Sequence, residues 1–277
     1  MRPKIIAEIA SSHNGDIELA KSMIRAAADA GADIVKFQSW QAKNVPDNDP
    51  DKKRYESLEL SDADHEVLID ECKKNGVEFL TAVFDIDRIP FLKSLGLKSV
   101  KVPSVSLKES KLLKALVDNF DHVFVSTGMS TEQEIKQAMD ILSKTKYTIM
   151  HCVAIYPTPL EKANLAKINW LKKHAPSVGY SDHTMGIDAP IASMSMGIDY
   201  LEKHFTLSRH LPQQSHTTAD GSKPITTHAV ACEPHELKVI CDAAKKLEKI
   251  MGDGSLEMHP EEILTRKKYT GRLGKNK

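Results

Sequence analysis

Two histidines end short, strand-like runs close together in the chain: His183 in GYSDHT and His204 in YLEKHFT. Neutral imidazoles at neighbouring strand ends make a partial shell for a divalent metal and leave positions open for water and substrate. Lys36 and Lys101 lie on earlier runs of the same kind, and paired ammonium groups suit an anion. The chemistry these four residues predict is a cation beside an anion pocket.

Such a site needs a scaffold that brings distant strand ends together. Apolar, β-rich runs occur at 5–10, 33–39, 78–84, 99–104, 122–127, 147–152, 177–183 and 200–206, each followed by a helical stretch. Asp16 can cap a first helix with the apolar face Ile17, Ala20, Ile24, Ala27 and Ala28, and Gly31 can stop it. Ser130 with Gln133 reads as a capping box, and Pro234 suits the first position of the last long helix. Eight such units with right-handed crossovers predict a (β/α)8 TIM barrel, a single α/β domain over residues 1–252 with a polar extension at 253–277. An open doubly wound sheet fits less well, because no GxGxxG loop follows a strand. The long connections 40–61 and 207–233 leave C-terminal strand ends, where barrel active sites lie.

Side chains alternate along a strand, so one parity faces the barrel interior. The expected inward set is Glu8, Lys36, Gln38, Thr81, Lys101, Ser126, Ser181, His183, Glu202 and His204. Buried lysines and glutamates are costly unless paired, so polar residues recurring near strand ends imply a ligand. Each has a plainer reading. A lone inward histidine is usually a hydrogen-bonded core residue, and Lys36 with Glu8 could be a buried ion pair. Ser130 reads as a cap alone, Met150 and Met194 as core filler, and His13, His151 and His216 as structural or surface residues. Their coincidence at one barrel mouth favours a site.

The 277 residues carry 38 basic and 38 acidic side chains, so no net field steers the chain toward nucleic acid or a membrane. Cys72, Cys152, Cys232 and Cys241 form no CxxC pair and read as reduced thiols. No 18-residue apolar run exists, and a first strand at about Ile5 leaves no room for a signal peptide, so a cytoplasmic protein is expected.

The same residues carry a family resemblance. IIAEIASSHNGDIELAKSMIRAAADAGADIVKFQSW resembles the opening of the sialic acid (N-acetylneuraminate) synthases, and KVPS, STGMST, HCVAIYPTP, GYSDHTMG and EKHFTL follow in the family's order over residues 4–212. The resemblance implies a transferase that condenses phosphoenolpyruvate with an N-acetylmannosamine-like aldose to a 2-keto-3-deoxy sugar acid. It also implies a divalent metal, Mn2+ above Mg2+ or Co2+. His183 and His204 would be the metal ligands. Lys36, Thr81, Lys101, Ser104, Ser126, Tyr156 and Ser181 would hold phosphoenolpyruvate, with Gln38 near the sugar. Glu8 or Glu202 would handle the attacking water, the family match favouring Glu8.

Three departures accompany it. Ala154 stands where the family has asparagine or another polar residue. Ser215, with His216 beside it, takes the place of an aspartate that contacts the sugar. The synthases usually continue into an antifreeze-like domain that reaches across a homodimer, and this chain ends first, leaving its homodimer an open expectation. The alternatives are a synthase for phosphorylated aldoses, using Lys43, Arg209, His210 or Lys223, a silent sugar-binding barrel, and a metal-dependent sugar isomerase on the same fold. The last would call for more carboxylates around the metal.

Overall fold

The computed structural model describes residues 2–212, 216–217, 224–225 and 227–272. Eight parallel strands close in sequence order: β1 (Lys4–Glu8), β2 (Ile34–Ser39), β3 (Glu78–Val83), β4 (Ser99–Val102), β5 (His122–Ser126), β6 (Lys146–Cys152), β7 (Val178–Asp182) and β8 (Tyr200–His204). A two-residue ladder, β9 (His216–Thr217) with β10 (Pro224–Ile225), lies within the long connection after β8. The helices are α1 (Ile17–Ala30), α2 (Lys52–Leu58), α3 (Asp62–Lys74), α4 (Ile89–Ser94), α5 (Ser110–Val117), α6 (Glu132–Leu142), α7 (Lys167–Lys172), α8 (Asp188–Met194), α9 (Pro234–Met251) and α10 (Pro260–Tyr269). This is the expected (β/α)8 barrel, and no described helix is long and apolar enough to cross a membrane.

Local sequence sets the helix ends. Asp16 accepts from the Glu18 and Leu19 N–H groups, and Gly31 ends α1 at φ 97°, a left-handed conformation that glycine adopts at no steric cost. The box on α6 is one residue later than predicted. Thr131, extended at φ −76° and ψ 163°, caps the helix with Glu134, while Ser130 donates to the Gly128 carbonyl. Ser130 precedes the half-in residue and cannot reach the free N–H groups.

Two layers organise the barrel wall. Outward residues such as Ile5, Val35, Phe37, Phe79, Val83, Val100 and Val123 join the helices in the main core. Ile6, Ile34, Leu80, Phe124 and Met150 fill the interior, forming an apolar plug. Gly179 makes room for it: a Cβ there would sit 2.2 Å from the Met150 sulfur. The plug closes the barrel beneath the next inward layer, which is polar.

Several histidines are buried as neutral groups, and this predicts acid sensitivity. His13 accepts from the Gly15 N–H at 3.0 Å, and His122 lies 2.9 Å from the Thr148 hydroxyl. Burial pulls both down to about 4. A depressed imidazole contributes stability that is complete above its unfolded value and is lost as pH falls toward 4. The drop from about 6.5 to about 4 is worth up to roughly 3 kcal/mol for His13, and less for His122, whose charge solvent partly screens. Glu8 acts in the opposite sense, because its raised pKa favours the fold on acidification. The depressed histidines, His204 among them, outnumber it, so stability should fall as pH drops between roughly 6.5 and 4.5. Denaturant midpoints should fall over that range, and His122→Asn should flatten the slope; parallel profiles for both proteins would contradict the assignment.

Candidate active site

Above the plug, at the C-terminal strand ends, four buried charges alternate in sign. The Lys36 Nζ lies 2.6 Å from Glu8 Oε2 and 3.5 Å from Glu202 Oε1. The Lys101 Nζ donates to both Glu202 oxygens at 3.0 and 3.2 Å, and the Ser181 hydroxyl donates to Glu202 Oε1 at 3.0 Å. Glu202 is thus bound on three sides. Burial would push its pKa up, but Lys101 and Lys36 outweigh that and hold it well below the carboxylate range. Glu8 has one close cation and no well-directed hydrogen bond among the described residues. Burial, aided by the Glu202 charge, raises it to about 7. Burial also lowers Lys101, whereas for Lys36 burial is outweighed by Glu202 and Glu8 and its pKa rises. One carboxylate is therefore a fixed anion and the other can exchange a proton near neutrality.

These residues line a cavity of about 330 Å³ together with Gln38, Ser104, Ser126, Tyr156, His183 and His204. Nine of the ten polar or charged inward residues expected from sequence thus converge there, along with Ser104 and Tyr156 from the connections after β4 and β6. Thr81 does not. It pairs in register with Phe37, and its neighbours Phe79 and Val83 belong to the helix-facing core, so Thr81 points outward and Ala82 takes the inward place. The expectation that Thr81 touches substrate is corrected on that ground. Ser215 lies outside the described residues, and of His216 only its backbone pairing with Ile225 is described. His13 and His151 are buried; His151 Nε2 lies 2.8 Å from the Ala163 carbonyl.

Some lining residues were not expected. Cys152, inward on β6, lies 3.7 Å from both the Ser104 hydroxyl and His183 Nδ1. Its signal was available, because it shares parity with Met150 at a strand end. Ala154 faces the cavity, as does Ala82, so this wall offers no side-chain donor at either position. Gly128 fits close by, since a Cβ would lie 2.7 Å from the Ser104 hydroxyl oxygen. A second chamber of about 240 Å³ shares Gln38, Phe84, Tyr156 and His204 and adds Trp40, Asp51, Arg54 and Tyr55 from the 40–61 connection. Trp40 meets Tyr55 and Phe84 edge-on, at ring-centroid distances of 5.7 and 5.8 Å. Arg54 donates to Ser11 at 3.4 Å, and its Nε is buried with no partner among the described residues.

The imidazoles of His183 and His204 are 5.4 Å apart between ring centroids. His183 Nδ1 lies 2.8 Å from the Val153 carbonyl, which accepts its proton and leaves the Nε2 lone pair facing the cavity, 2.8 Å from the Tyr156 hydroxyl. His204 Nδ1 is buried with no partner among the described residues. Burial, reinforced by His183, holds His204 well below the usual histidine range, so it is a neutral donor. For His183 burial is outweighed by Cys152 and the Val153 carbonyl, and its pKa rises. No group of three or more His, Cys, Asp or Glu side chains among the described residues is arranged to hold an ion. The pair fits a divalent cation that keeps open positions, as a catalytic ion does, and not a closed structural site.

A closed parallel barrel with a polar, charge-alternating mouth and an adjoining imidazole pair is the architecture of a βα-barrel enzyme. The chain belongs to the NeuB family, whose model matches residues 23–256. It is 37% identical over 271 residues to N,N'-diacetyllegionaminic acid synthase of Campylobacter jejuni, covering 90% of this chain and 78% of that protein. The synthase of the same name from Legionella pneumophila is 32% identical, over 94% of this chain and 76% of its own length. The crystal structure of an N-acetylneuraminic acid (sialic acid) synthetase from Leptospira borgpetersenii, in complex with citrate, superposes with a TM-score of 0.85 at 30% identity. That match covers 98% of this chain and 93% of the other. The chain is accordingly an enzyme of the transferase type, a sugar-acid synthase.

Proposed function

We propose that the chain condenses phosphoenolpyruvate with an unphosphorylated aldose, giving a 2-keto-3-deoxy sugar acid and inorganic phosphate. The observation that carries this reading is the sharing of one cavity by Lys36, Lys101, Ser104, Ser126 and Ser181 with the imidazole pair. Phosphoenolpyruvate carries about three negative charges near neutral pH, and two ammonium groups with convergent hydroxyl donors neutralise and orient it. Glu202 fixes both lysines from behind. Gln38 and Tyr156, shared by the two chambers, stand where the aldose would meet it. His183 and His204 would hold a divalent ion, Mn2+ before Mg2+ or Co2+, which when bound supplies Lewis-acid polarisation of the aldehyde.

In the condensation, the enol carbon forms a bond to the aldehyde carbon, whose oxygen becomes a hydroxyl. Water adds to the phosphate-bearing carbon and gives a proton to Glu8, the carboxylate free to take one. Collapse of the adduct breaks the carbon–oxygen bond to phosphate and leaves the ketone; of the two protons that water brought, one ends on the new sugar hydroxyl and the other leaves with phosphate. The apolar plug below excludes water from the other side, which strengthens the electrostatics of the cradle.

The aldose is read as unphosphorylated because the described lining of the second chamber carries one cation, Arg54, with Asp51 on the same wall. That balance opposes a phosphate dianion. Phosphate release should occur with phosphoenolpyruvate, Mn2+ and free N-acetylhexosamines, and not with phosphorylated aldoses. Turnover confined to the phosphorylated sugars would reverse the assignment, and release from none would leave a sugar-binding barrel. Arg54→Ala should raise the KM for the aldose about tenfold, the worth of one charge-assisted hydrogen bond, and leave the KM for phosphoenolpyruvate near wild type. A shift in the phosphoenolpyruvate KM instead would move Arg54 to the other chamber.

A further inference from the structure

We propose that the buried Asp182–Lys203 ion pair is a positioning device that sets the spacing of His183 and His204; this rests on the reading of those imidazoles as cation ligands. Asp182 and Lys203 are register partners on β7 and β8, each the residue immediately before one of the two histidines. Both side chains take the outward parity, away from the cavity, and are 1% exposed. The Lys203 ammonium donates to Asp182 Oδ2 at 2.5 Å and to the Thr184 carbonyl at 2.6 Å. One lysine, anchored beside His204, thereby grips the chain on both sides of His183. Asp182 is saturated in turn: it accepts from the Tyr180 hydroxyl at 2.6 Å and from the Thr184 N–H and hydroxyl at 3.1 and 3.0 Å.

Packing alone does not call for charge here. The same outward layer on other strands is filled by Ile5, Val35, Val100 and Val123. A buried pair is commonly no more stabilising than apolar residues of like volume, so its value lies in directional bonds. Those bonds tie β7 to β8 at the one register position where two rings from separate strands must share an ion. Ligand geometry must hold to within about 0.5 Å, and partners behind the ligands are what enforce it.

The test is direct Mn2+ binding to the 277-residue chain, read from the free-ion electron paramagnetic resonance signal, with thermal midpoints recorded without metal. Wild type should bind and His183→Ala should not. The double variant Asp182→Asn/Lys203→Met, which removes both charges together, should bind Mn2+ about 10–100-fold more weakly. Tyr180→Phe, which deletes a single hydroxyl, should lose affinity in the same direction by less, and it carries the test should the double variant not fold. A wild-type Mn2+ constant in either folded variant, whatever its midpoint, makes the pair purely structural and overturns the inference while the metal reading stands. Absent binding by wild type, or unchanged binding by His183→Ala, overturns both.

Discussion

Lys101→Ala should raise the KM for phosphoenolpyruvate by about 100-fold or more, with the aldose KM changed far less. The lysine supplies one of two ammonium groups to the anion cradle, and a lost charge-assisted contact of roughly 3 kcal/mol corresponds to about two decades. It is also the nearest cation to Glu202, at 3.0 Å. Its removal leaves that buried carboxylate with Lys36 at 3.5 Å and the Ser181 hydroxyl. Breaking a buried pair typically costs about 3–5 kcal/mol, and the two surviving partners should keep the loss at or below the lower end. Lys101→Arg should restore fold stability better than turnover, because a planar fork cannot reproduce a point charge among Glu202, Lys36 and substrate. Initial rates at varied phosphoenolpyruvate concentration read the effect. An unchanged KM for that substrate would remove Lys101 from the cradle.

The barrel was legible because its strands and helices carry separate signals in the chain: β-rich runs at regular spacing, capped amphipathic helices between them. The inward parity of β1, β2 and β8 was legible because polar and apolar residues alternate there. On β3 they do not. FLTAV is apolar on both sides, as a strand buried on both faces is, so a lone threonine drew the inward assignment that Ala82 holds. Only the register with Phe37 decides it, and register is a long-range property. Cys152 escaped notice because a cysteine on a buried strand reads as a small apolar residue. Trp40, Arg54 and Tyr55 escaped because nothing local marks which residues of a 22-residue connection fold back over a barrel mouth. Lys203 and Asp182 escaped for the converse reason: attention to the cavity parity passes over charges that serve it from behind.

Glu8→Gln should separate the two buried carboxylates. Glu202, held ionised by two lysines, has no proton to exchange near neutrality; its loss should appear in the phosphoenolpyruvate KM. Glu8, raised to about 7 by burial, is matched to proton transfer at working pH. Glu8→Gln keeps size and an acceptor for Lys36 but cannot take a proton from water, so kcat should fall about 10²–10⁴-fold with little change in either KM. The ionised form is the active one, so wild-type kcat/KM should decline as pH drops through about 7, and the variant should lack that limb. A bound trianion penalises a neighbouring carboxylate, so the corresponding limb of kcat should lie at higher pH than that of kcat/KM. Stability should move the other way. A carboxyl whose folded pKa is raised favours the fold fully below about 4.5, and that contribution is lost as pH rises through 7. Without substrate, Glu8→Gln should therefore melt above wild type at pH 8, with the difference shrinking toward pH 5. Higher stability with lower turnover is expected where a site keeps an uncomfortable charge for chemistry. Wild-type kcat with an intact acidic limb in the variant would transfer the proton-carrying role away from Glu8.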